Sequence, residues 1–133
     1  MSLSETIAKQ KDTRPPVAIG HVRLHVSNVS EASDFFIKIG LRLITQSEQL
    51  AVLELRGGTH LVLRTTSEAI APGMNAPFDL MVDDVSVTRE TFRKWGLTVS
   101  EIEPGRIHSS FTLTGPDGYL LKLTSSHTGG REV

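Results

Sequence analysis

Between Ile19 and Val26 the chain alternates: Val22, Leu24 and Val26 fall on one side, His21, Arg23 and His25 on the other. That period of two predicts a strand with one buried face. The same alternation returns at Phe78, Leu80 and Val82. The repeat keeps one offset: Val22 matches Phe78, Leu24 matches Leu80, Phe36 matches Phe92, Gly40 matches Gly96 and Leu41 matches Leu97. Val26-Ser27-Asn28-Val29-Ser30 likewise matches Val82-Asp83-Asp84-Val85-Ser86. The chain is therefore read as two copies of one unit.

Behind each opening strand the spacing becomes helical. Ala32, Phe35, Phe36 and Ile39 make one apolar stripe, with Ser30 as the expected N-cap and Gly40 as the stop. The second helix is expected from about Val85 to Trp95, capped by Asp84 or Ser86, stopped by Gly96 and anchored in the core by Phe92 and Trp95. Shorter strands follow each helix. They are expected over 43–47, 50–56 and 60–65 in the first copy, and over 98–102, 107–114 and 119–124 in the second. Gly57-Gly58 and Pro116-Asp117-Gly118 supply the turns. Each copy thus reads β-α-β-β-β. The fold class is α+β: two tandem βαβββ modules forming a curved mixed sheet around a cleft. The expected divisions are an N-terminal arm over 1–16, module one over 17–66, a linker over 67–76 around Pro72 and Gly73, module two over 77–126, and a polar tail over 127–133.

Composition narrows the function. A length of 133 residues suits one domain, and a net charge of −1 argues against nucleic acid or an acidic membrane as partner. No apolar run is long enough to span a bilayer, which also argues against a membrane partner. The absence of cysteine excludes disulfides, thiolate zinc sites and cysteine nucleophiles, and fits a cytoplasmic chain. No serine-nucleophile constellation is visible. Gly57-Gly58 lacks the lysine that would make it a phosphate loop.

The last strand raises a chemical question. In Gly115-Pro116-Asp117-Gly118-Tyr119-Leu120-Leu121-Lys122-Leu123-Thr124 a lysine interrupts an apolar run. Facing a closed interior it needs a negative partner, and Asp79 is the candidate.

This ending resembles the "DPDGxxxEL" ending of the vicinal oxygen chelate superfamily, which holds glyoxalase I, extradiol dioxygenases, and fosfomycin- and bleomycin-resistance proteins. Gly20-His21-Val22-Arg23-Leu24-His25-Val26 and Val82-Asp83-Asp84-Val85 carry the same resemblance, which spans 17–126. In metal-dependent members one ligand comes from the first and one from the fourth strand of each copy. By that correspondence the four positions are His21, Val62, Pro77 and Lys122. One donor of four remains. An ammonium has no lone pair, and beside a divalent ion at about 4 Å it would cost about 8 kcal/mol at an effective dielectric near 20. No metal and no other cofactor is therefore expected at the usual site. Any divalent ion would sit at a displaced site, with His21 and His60 as ligands.

Alternation predicts what lines the cleft instead: His21, Arg23 and His25, then His60, Val62 and Arg64, then Asp79 and Met81, then Lys122 and Thr124. Arg23, Arg64 and Lys122 are candidate anchors for a small anionic ligand, and His21 is the one candidate general base. The expected function is metal-free binding of a small polar, anionic molecule. One alternative is a glyoxalase/dioxygenase-like enzyme with its metal displaced to His21 and His60. Another is a homodimeric interaction module with no small-molecule ligand. The resemblance also implies a homodimer. The basic lining departs from the acidic, aromatic groove of bleomycin-resistance proteins.

Overall fold

The protein is described by a computed structural model over residues 12–126. The tail expected over 127–133 lies outside the described residues, and the expected arm is described only from residue 12. Module one contains β1 (His21–Val26), α1 (Val29–Lys38), β2 (Arg42–Gln46), β3 (Leu50–Glu54) and β4 (His60–Thr65). Module two contains β5 (Asn75–Val82), α2 (Val85–Lys94), β6 (Ser110–Thr114) and β7 (Leu120–Ser125). Short 3-10 turns at Arg56–Gly58 and Pro116–Gly118 precede β4 and β7.

The helices start where an acceptor side chain waits. Asn28 Oδ1 accepts from the Glu31 N–H at 2.9 Å, and Asp84 Oδ1 accepts from the Val87 N–H at 2.9 Å. Asn28, rather than the expected Ser30, is the first cap: the extended backbone that a cap needs falls two residues earlier. Asp84 is the second cap, and Ser86 lies inside the helix.

Hydrogen bonding divides the strands into two sheets rather than one continuous sheet. The first has the order β1-β4-β3-β2, the second β5-β7-β6. In each, the opening strand pairs in parallel with the last strand of its own module. The strand expected over 98–102 is reduced to isolated bridges, Val99 to Leu113 and Glu103 to Ser110. Module two is thus βαββ with a ragged fourth edge.

An approximate two-fold relates the modules. Ser27, after β1, donates its N–H to Asp117 at 2.8 Å, in the turn before β7. Asp83, the repeat partner of Ser27, accepts from Arg56 at 3.0 Å, in the turn before β4. Each turn therefore tethers the strand-to-helix junction of the other module. Since β4 lies parallel to β1 and β7 to β5, the edge strands β1 and β5 pass each other in opposite directions. At the other end of the helices Lys38 Nζ donates to the Trp95 carbonyl at 3.2 Å.

One core serves both modules. Leu24, Val26, Ala32, Phe36, Leu61 and Leu63 join Leu80, Phe92, Phe111, Leu121 and Leu123. Burying the valine, leucine and phenylalanine side chains among them at 0–8% exposure contributes roughly 1.5–3 kcal/mol each. Trp95, expected as a core anchor, is instead 46% exposed. It is the C-cap of α2, with its ring 5.8 Å from that of Phe92.

Candidate functional site

Alternation places the buried residues of β1, β3 and β4 against α1, and the remaining side chains on an open face. Strand register orders that face into three rows. The first runs Arg42, Glu54, His60, His21; the second Thr45, Val52, Val62, Arg23; the third Leu50, Arg64, His25. The five expected site residues of module one, His21, Arg23, His25, His60 and Arg64, therefore do share one surface.

The rows differ in charge balance. In the first, Glu54 takes a salt bridge from Arg42, and its second oxygen lies 3.8 Å from His60 Nε2. The His60 and His21 rings continue the row at 5.8 Å between centroids, tilted by 40°. In the second and third rows Arg23 and Arg64 lie diagonally across parallel strands, with His25 opposite Arg64. Among the described residues no carboxylate comes within ion-pair distance of either arginine. Glu54 and Arg42 were absent from the expected site. Glu54 follows Leu50 and Val52 at the strand period, so alternation extended to the third strand would have found it.

Asp79, Lys122 and Thr124 lie on the other sheet. Asp79 and Lys122 are partners in the β5–β7 register, with Thr112 beyond Lys122 and Thr124 beside Met81. The candidate Asp79–Lys122 ion pair is not among the ion pairs of the described residues. Lys122 is exposed, while Leu121 and Leu123 on either side are 0% and 1% exposed. Lys122 stands on the solvent face of a one-sided sheet, where an ammonium stays hydrated and needs no buried partner.

The positions that would hold the metal of this fold do not fit one. They carry His21, Val62, Pro77 and Lys122, a single lone-pair donor among four side chains. Among the described residues no group of three His, Cys, Asp or Glu is arranged to hold an ion. Glu54, His60 and His21 come nearest, with Glu54 already engaged by Arg42.

A separate space lies on the helix side, between the modules. It has a volume of about 570 Å³ and is walled by Val22, Leu41, Leu55, Phe78, Phe92 and Leu123, with Thr59, Asp79 and Met81 also lining it. Of the residues expected to line the cleft, Asp79 and Met81 reach it. A smaller cavity of about 330 Å³ lies between the start of α1 and the turn before β7.

Solved structures share this architecture. The lactoylglutathione lyase from Agrobacterium tumefaciens superposes with a TM-score of 0.72 at 19% identity, over 88% of this chain and 99% of that one. A glyoxalase/bleomycin resistance protein/dioxygenase from Alicyclobacillus acidocaldarius gives 0.69 at 19% identity, over 88% and 97%. A member of the same superfamily from Sphaerobacter thermophilus gives 0.69 at 17% identity, over 83% and 98%. No protein-family model matches the chain, and no curated protein is matched by it. The chain has the fold of the glyoxalase/bleomycin resistance/dioxygenase superfamily, as its sequence motifs imply. No described helix is long and apolar enough to cross a membrane.

Proposed function

We propose that the chain binds a small anionic molecule on the open face of the four-stranded sheet, without a metal, held by Arg23 and Arg64 with His25 beside them. One observation carries this reading: two guanidinium groups stand on adjacent strands with no carboxylate of the described residues within ion-pair distance, while the same sheet neutralises its other end through Glu54. Guanidinium forks suit carboxylate and phosphate, and Val52 and Val62 offer an apolar floor next to them. The reading includes a homodimer in the cytoplasm. Asp79, Lys122 and Thr124, on the second sheet, join the site where two open faces meet across chains.

Calorimetric titration with a panel of small carboxylates and phosphates tests it. Saturable binding that weakens at least about tenfold in Arg64→Ala and falls with added salt is the expected result. Heats that stay flat across the panel, or binding indifferent to both arginines, would remove it and leave the interaction module. A second reading rests on the approach of the His21 and His60 rings and of Glu54 to His60: a divalent ion displaced to that row. Stoichiometric metal in protein purified without a His-tag, lost in His60→Ala, would put that enzyme reading first.

A further inference from the structure

The space between the modules has a smaller, partly filled counterpart, the cavity of about 330 Å³ lined by Leu97, Gly115 and Pro116. The two halves match closely around it. Leu55 N–H donates to the Thr59 carbonyl at 2.8 Å, and Gly115 N–H donates to the Tyr119 carbonyl at 2.8 Å. Thr59 has φ −63° and ψ 137°; Tyr119 has φ −58° and ψ 140°. Thr59 and Tyr119 are thus the same structural position in the two modules, one residue before β4 and one before β7. Tyr119 is 7% exposed, and its hydroxyl donates to the His25 carbonyl at 2.8 Å. The repeat partner of His25 is Met81, and both Thr59 and Met81 line the open space.

The backbone at Met81 is turned the right way. Val82 gives its carbonyl to Ser126 at 3.2 Å, toward β7, so Met81 directs its own to the opposite edge of β5. Val26 gives its carbonyl to Thr66 at 3.0 Å in the same manner, which frees that of His25 for Tyr119. The walls register the missing ring. Leu80 is 8% exposed against 3% for Leu24, and Phe92 4% against 0% for Phe36. Val82 is half-buried where Val26 is fully buried.

We infer that this space is a binding site for a small phenol-like molecule, an aromatic ring bearing one hydroxyl donor, which takes the place that Tyr119 fills in the other module. The ring would lie against Val22, Leu41, Phe78 and Leu123, and the hydroxyl would donate to the Met81 carbonyl. The volume and the apolar lining with few polar groups are those of small-molecule sites. This site is separate from the anion face, and neither reading depends on the other.

Titration of the natural chain with 4-methylphenol, followed by methyl NMR, tests the inference. Saturable shifts at Val22, Leu41 and Leu123 are expected. Binding of 4-methylanisole, the same ring without a donor, should be roughly three- to tenfold weaker. Thr59→Tyr should weaken 4-methylphenol at least about tenfold and raise Tm by a few degrees, as cavity-filling substitutions do. Absence of saturable shifts, shifts confined to the open face, or unaltered binding in Thr59→Tyr would each overturn it. So would cavity signals that move with protein concentration alone, which would give the space to a second copy. The shift map of the natural chain decides the matter even where the variant does not fold.

Discussion

Modules one and two follow one plan with different fillings. Both place a capped helix across the buried side of a sheet, and both send a turn to the junction of the other module. Module one completes four strands and carries Arg23, Arg64 and the histidines on its open face. Module two completes three, and presents Lys122 and Asp79 among threonines and serine. Module two lends its Tyr119 to module one, while module one offers only Thr59 in return. The two modules share the opening strand, the capped helix and the closing hairpin. What diverged was the side chains facing outward and the fit between the halves.

The comparison breaks most readily at Tyr119. Tyr119→Ala is expected to lower stability by about 3–5 kcal/mol, because a buried ring is lost and a second void opens. Thr59→Ala at the matching position should cost about 1 kcal/mol, the bond from its hydroxyl to the Ile19 carbonyl. Urea denaturation of both variants measures the difference, and equal losses would mean that the halves are filled alike.

The two tethers should differ next. Asp117 accepts from both the N–H and the hydroxyl of Ser27 while sitting at φ +56°, a left-handed backbone that favours glycine. Asp117→Ala is expected to cost about 2 kcal/mol, and Asp117→Gly less, since glycine removes the backbone strain. Arg56→Ala removes an exposed pair, with side chains 60% and 78% exposed, and should change stability by less than about 0.5 kcal/mol. A loss at Arg56 as large as that at Asp117 would contradict the asymmetry.

A smaller effect is expected from Tyr119→Phe, about 1 kcal/mol near neutral pH, for the bond to His25. Burial first, and then the charge of Asp117, push the Tyr119 hydroxyl above its ordinary value of 10.0. The folded chain therefore keeps this proton where the unfolded chain loses it. The contribution is complete below pH 10 and is lost as pH rises through the folded value. Unfolding followed from pH 8 to pH 11 should show a decline that Tyr119→Phe lessens. Identical slopes would assign the decline to other groups.

The smallest contrast is Ser33, fully buried on α1 with no partner for its hydroxyl among the described residues. At its repeat position Arg89 donates to the Ser100 carbonyl at 2.6 Å. Ser33→Ala should raise stability by about 0.5–1 kcal/mol in thermal unfolding, and a loss would point to a partner for that hydroxyl.

Residue patterns alone were enough for the repeat, both helices, both turns and the buried faces of β1, β4 and β5, because burial on a strand or helix is written at periods of two and 3.6. They also placed His21, Arg23, His25, His60 and Arg64 on one face. The strand expected over 98–102 could not be judged that way, since its pairing depends on how far β6 reaches. Lys122 was misjudged for a related reason: alternation tells which residues share a face, not whether anything covers that face.

The sequence by itself determined the duplicated plan and which residues share each strand face, both of which depend on residue type and spacing along the chain. Only the tertiary structure decided that the expected site is divided between two sheets, that Glu54 quiets one end of the basic face, and that Tyr119 fills one side of the module junction while Thr59 leaves the other open. Those outcomes depend on register between strands and on contacts between residues far apart in the chain, such as the hydroxyl of Tyr119 and the carbonyl of His25, which no local period encodes.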